Sequence, residues 1–156
     1  MPEKYLESLK KAIKCLQLAD HMAYVTYPIV QDKRLLLKIL DQVYESLIHT
    51  INAILQHDYV WKRIQLYKDA KSNFRTFSEK CAPRYNIDHE EIRQILDILS
   101  TAEKHKKSPL EFSRKDKIVI MSDNLKTSII DIEKIKQYLI LSKKIIERAN
   151  SHILKK

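Results

Sequence analysis

Apolar residues recur at steps of three and four along most of the chain, the period of a helix with one buried face. Leu6, Leu9, Ile13, Leu16, Ala19 and Met22 form the first stripe and predict a helix over about 3–25. Tyr27-Pro28 is expected to end it, because the residue before a proline is pushed out of the α region. Asp32 then stands where a side-chain N-cap belongs. Leu36, Ile39, Leu40, Val43, Leu47, Ile51 and Ile54 follow, predicting a long second helix to about 57. Asp58 is expected to cap a third helix with the stripe Tyr67, Ala70, Phe74, Phe77 and Cys81, stopped by Pro83. Asp88 and Glu91 have the spacing of a capping box, ahead of Ile92, Ile95, Leu96, Leu99 and Ala102. Ser108-Pro109 breaks this pattern, and 110–130 reads as a small β-hairpin of two or three short strands, with Ile118-Val119-Ile120-Met121 as its β-prone run. Asp131 is placed to cap a last helix, whose stripe is Ile135, Tyr138, Leu139, Ser142, Ile145, Ile146, Ala149 and Ile153.

The expected fold class is therefore mainly α: an up-and-down bundle of about five helices with a small β-hairpin inserted between the fourth and fifth. Short connections favour antiparallel neighbours. A chain of 156 residues is long enough to bury a core as one domain, 1–156. No apolar run approaches the ~20 residues of a membrane span. The start, Met1-Pro2-Glu3-Lys4-Tyr5-Leu6-Glu7, carries acids and no apolar h-region, so no signal peptide and no membrane partner are expected. Cys15 and Cys81 read as buried or half-buried thiols in a reducing, cytoplasmic setting.

Composition narrows the chemistry. The chain has no glycine, where roughly 7% is average. Glycine-cradled P-loops, G-x-G-x-x-G dinucleotide turns, G-x-S-x-G elbows and EF-hand loops are all excluded. No cofactor is expected. The turns of the hairpin must use other residues, with positive φ expected at Asn124 or in wide loops. Net charge is +9 and uneven: +1 over 1–57, +3 over 58–107 and +5 over 108–156. A basic surface attracts polyanions without regard to sequence.

Side-chain chemistry has few candidates. The histidines are His21, His49, His57, His89, His105 and His152. None forms an i,i+4 pair, and there is no C-x-x-C, so no metal site is expected. His57-Asp58 resembles the His-Asp pair of the HD-domain phosphohydrolases, which are also helical, with His21 upstream; the other reading of Asp58 is the helix cap. Arg84-Tyr85-Asn86-Ile87-Asp88-His89 resembles the Arg-x4-6-His motif of the HEPN family, small helical bundles that include metal-independent ribonucleases. The resemblance implies that Arg84 binds the scissile phosphate and His89 acts as general acid or base. The alternative is a solvated loop cation and a first-turn surface histidine.

The basic residues form two runs. Lys104, Lys106, Lys107, Arg114, Lys115 and Lys117 lie around the end of the fourth helix and the hairpin. Lys62, Arg63, Lys68, Lys71 and Arg75 form the other, interleaved with Trp61 and Tyr67. Tyr67 falls on the core stripe, which leaves Trp61 as the ring able to stack on a base. The expectation is a non-catalytic binding protein whose partner is nucleic acid, RNA in particular. A HEPN-like ribonuclease is the first alternative. A protein-interaction module is the second, either as a homodimer through helix surface or at the hairpin edge with its polar set Glu111, Arg114, Asp116 and Asp123.

Overall fold

The computed structural model describes residues 2–107, 110–114, 117–121 and 126–154. α1 (Pro2–His21) runs through a widened turn, Met22–Thr26, into the short α2 (Tyr27–Val30). α3 (Arg34–Val60) is the longest element. α4 (Ala70–Thr76) passes through a second widened turn, Phe77–Cys81, into a 3-10 turn, Ala82–Tyr85. α5 (His89–Lys107) and α6 (Ile132–Ile153) flank β1 (Leu110–Arg114), β2 (Lys117–Met121) and β3 (Thr127–Ile130). The described residues thus form five helical bodies, with the β-unit between the fourth and fifth. α1 packs along α3, and α6 lies against both.

The stripes become the core. All seven α3 positions and all eight α6 positions named above are buried. The widest part of the core runs between α1, α3 and α6, where Leu9, Ala12, Leu16, Leu40, Leu47, Leu139 and Ile146 belong to one apolar cluster. On α5 the buried face is Ile92, Ile95, Ile98, Thr101 and Ala102, and Leu96 is half exposed, so the stripe is rotated from the expected one.

Two prolines do not end helices where the sequence suggested. Before Pro28, the Tyr27 N–H reaches the Met22 carbonyl five residues back. Before Pro83, the Ala82 N–H does the same with Phe77. A proline ring strikes the carbonyl four residues back and brings no N–H. Widening the preceding turn relieves both defects, so the helical path continues two residues past each proline. It stops at Gln31 (φ 53°) and Asn86 (φ 59°), and α3 stops just before Lys62 (φ 59°). These left-handed positions are the ones glycine ordinarily takes after a helix. Asn124, the expected positive-φ residue, lies outside the described residues.

The caps divide. Asp32 accepts the Arg34 N–H at 3.0 Å, but it stands one residue before the N-cap expected of it, a position Lys33 takes without a side-chain cap bond. Asp88 and Glu91 bond reciprocally, Glu91 N–H to Asp88 Oδ1 at 2.8 Å and Asp88 N–H to Glu91 Oε1 at 3.1 Å. Asp131 accepts the Lys134 N–H at 2.8 Å. Asp58, in contrast, is not a cap: α3 continues through it to Val60. The cap of α4 is Asp69, whose carboxylate accepts the Ser72 N–H at 2.9 Å. Tyr67 accordingly precedes the helix and is half exposed; its N–H donates to Asn73 Oδ1 and its carbonyl accepts from Asn73 Nδ2.

The sheet is an antiparallel meander in the order β1-β2-β3. Ser113 pairs with Ile118, and Ile118 with Ile130. Ile118, Ile120 and Ile130 face the core, which fits a strand buried on one side.

Candidate functional site

The last turn of α3 carries the unusual residues. The α3 stripe runs Leu47, Ile51, Ile54 in steps of four and three, and one more step of four reaches Asp58. A carboxylate therefore occupies a core position and is fully buried. A buried charge persists only with partners. Asp58 has two cations, Arg84 Nη2 bonding its Oδ2 and Arg63 Nη1 3.5 Å from its Oδ1, and His57 Nδ1 lies 3.7 Å from the same Oδ1. Arg84 arrives on the 3-10 turn after α4, and Arg63 on the loop leaving α3. The Arg63 N–H also bonds the Asp58 carbonyl at 2.9 Å, which folds that loop back over the helix end.

His57 sits beside this group. Its Nδ1 is 3.2 Å from the Tyr85 hydroxyl, and the Tyr5 ring meets it edge-on at 5.0 Å. Burial lowers the His57 pKa, and the raising effect of the neighbouring Asp58 charge is smaller. Burial, followed by the Asp58 charge, raises that of Tyr85. A neutral imidazole and a protonated phenol thus share this bond. The His152 ring, near the end of α6, packs at a 41° tilt against the Tyr85 ring, centroids 4.7 Å apart. Trp61 lies 6.3 Å from His57 and is 61% exposed.

These side chains line one cavity of about 360 Å³: His57, Trp61, Arg63, Arg84, Tyr85 and His152. The Arg63 and Arg84 side chains, 45% and 39% exposed, lie on its wall. Each arginine carries five N–H donors in a fixed fork, and Asp58 occupies few of them. Asp58 positions the two forks from behind, and the remaining donors stay available to a ligand. One carboxylate against two guanidiniums leaves a formal charge of +1. The arrangement suits an oxyanion, with aromatic rings on its other walls.

Arg84 is in this cavity, and His89 is not among its lining residues. His89 is exposed at the first position of α5, across the left-handed Asn86 and the Asp88 cap. The histidines beside Arg84 are His57 and His152. His152 was missed because its partner elements are far away in sequence. The one trace was its step of three from Ala149 on the α6 stripe. The His57-Asp58 pair differs from a metal-ligating pair: guanidiniums hold the carboxylate, and His21 is exposed at the far end of α1. Among the described residues no group of three or more His, Cys, Asp or Glu side chains stands where it could hold a metal ion. Cys81 is buried at this site, and desolvation followed by Asp58 raises its thiol pKa, making it inert. Cys15 is half buried and also shifted up, by burial first and Glu45 second.

The basic runs are unequal. Lys68, Lys71 and Arg75 are exposed on and before α4, and Lys107 is exposed at the end of α5. Lys104 donates to the Ser128 hydroxyl at 3.2 Å. Lys106 lies 4.0 Å from Glu45 and over the Tyr44 ring. Lys117 is exposed at the start of β2. Lys115, Asp116 and Asp123 lie outside the described residues, and Glu111 and Arg114 are described only as backbone of β1. No described helix is long and apolar enough to cross a membrane. No family model matches the chain, and neither curated proteins nor solved structures give a significant match.

Proposed function

We propose that the protein binds single-stranded RNA, with the Arg63–Arg84 cavity gripping a phosphate. The observation that carries this is the convergence of two guanidiniums, preoriented by a buried carboxylate, with the exposed Trp61 in one cavity. Guanidiniums match phosphate geometry, and an exposed indole stacks on any base. Lys68, Lys71 and Arg75 add sequence-independent attraction. The test is a titration with a single-stranded RNA oligomer at several salt concentrations. Affinity falls with a negative log–log slope, and Arg63→Gln weakens binding at each salt concentration. Absence of binding at low salt, with the fold intact, refutes the proposal.

A second reading, metal-independent ribonuclease activity, is favoured by one observation: Arg84 shares its cavity with an exposed histidine, His152. In this version Arg84 holds the phosphate, and the exposed imidazole of His152 moves the proton. Cleavage should then survive a chelator, vanish in His152→Ala and persist in His89→Ala. Loss in His89→Ala instead would restore the Arg-x4-His pairing.

A further inference from the structure

We infer that the cavity at the end of α3 is a site for one nucleoside monophosphate unit, with the phosphate on Arg63 and Arg84 and the base on Trp61. This rests on the phosphate-binding reading above and names its ligand.

Size comes first. Small-molecule sites begin at roughly 300 Å³, so a cavity of about 360 Å³ accommodates one nucleotide unit at a time. The second consideration is the donor count. An internal phosphodiester offers two non-bridging oxygens, whereas a terminal phosphate offers three and a second charge. Two guanidinium forks that each spend few donors on Asp58 match the three-oxygen group better. His152, packed against Tyr85 at the cavity wall, supplies another donor. The walls supply the third consideration. Trp61, Tyr85 and the two imidazoles form an aromatic lining beside the cationic one, so polar and planar groups of a single ligand are met together. A nucleotide is a common biological ligand that carries a phosphate and a flat ring together.

The same chemistry has two sources, a free mononucleotide or the 5′-phosphorylated end of a strand. The protein has a single tryptophan, so its fluorescence reports directly on the cavity. Adenosine 5′-monophosphate, adenosine and inorganic phosphate are titrated separately. The monophosphate should quench Trp61 and bind at least tenfold tighter than either fragment. By calorimetry, Trp61→Ala should reduce its affinity to that of inorganic phosphate, and Arg63→Gln should weaken monophosphate and phosphate alike. Trp61 and Arg63 are exposed, and circular dichroism checks that both variants fold. A short RNA should displace the monophosphate when 5′-phosphorylated and fail without that phosphate if strand ends are the source. If neither RNA displaces it, the free nucleotide is the source. Monophosphate binding no tighter than phosphate, or unchanged in Trp61→Ala, overturns the inference. Long RNA that binds with a salt slope while the monophosphate does not would leave the RNA-binding proposal standing and remove this one. The converse would remove RNA binding alone.

Discussion

Asp58 controls more than any other side chain, because it is a fully buried charge shared by two cations. Removing a partner and removing the charge have different consequences. Arg84→Ala leaves a buried carboxylate with only the more distant Arg63. Breaking a buried pair in this way costs about 2–3 kcal/mol where a second cation remains. Asp58→Asn removes the buried charge itself and leaves guanidiniums that water can reach, so the loss should be smaller, roughly 1 kcal/mol. Urea midpoints of the two variants check this order. Asp58→Asn should also tighten phosphate binding, because the cavity gains a unit of positive charge. His57 makes the fold sensitive to acid. Its folded pKa lies below the ordinary 6.5, so the unfolded chain binds its proton first. Stability from this group is complete above about 6.5 and declines as pH falls toward the lowered folded value. His57→Gln should flatten that part of the stability–pH curve, measured by denaturant unfolding from pH 7.5 to 5. An unchanged slope would place the acid sensitivity elsewhere.

At the scale of elements, helix ends do the work that glycine does in other chains. Gln31, Lys62 and Asn86 hold left-handed backbone without it. Asparagine tolerates this region, whereas a residue such as glutamine is destabilised there by about 1 kcal/mol. Gln31→Gly should therefore raise the thermal midpoint, while Asn86→Gly should change it little. The gain for Gln31 is about 0.5–1 kcal/mol. The N-termini are already well made. Asp88 and Asp131 each satisfy an orphan amide, and replacing either by Ala should cost about 1 kcal/mol. The sequence showed these two caps because each is local, an Asp followed three residues later by the amide it accepts. It misassigned Asp58 for the same reason: the spacing before a helical pattern was right, but α3 had a further turn of stripe to complete. Pro28 and Pro83 misled similarly, since a widened turn has no signature in residue type.

For the whole molecule, charge is less informative than where charge is free. Lys104 and Lys106 are engaged internally, while Lys68, Lys71, Arg75 and Lys107 are exposed. If RNA contacts the α4 side, Lys71→Ala and Arg75→Ala should each reduce the salt slope of binding by about 0.7. Lys106→Ala should alter it less, because that ammonium already faces Glu45 and Tyr44. Electrophoretic mobility shifts at four salt concentrations give these slopes, and equal effects would reject the distinction. The bundle also explains where the site is. α1 and α3 are antiparallel, so Tyr5 at one end of the chain meets His57 near the end of α3, and α6 brings His152 to the same place.

The sequence by itself determined the helical bundle, the β-unit between its last two helices, most caps and the core faces of α3 and α6. These depend on local period and on side chains acting within four residues, which a linear pattern records. It also exposed the materials of the site, Arg84 in a loop and His57-Asp58 beside a helix end, without their assembly. Tertiary structure alone decided that Arg84 meets Asp58, that Tyr85 bonds His57, and that His152 rather than His89 shares the cavity. Those contacts join residues 26, 28 or more positions apart. They exist because burial of a carboxylate at a core position compels distant cations to converge on it, a requirement that no short window of sequence contains.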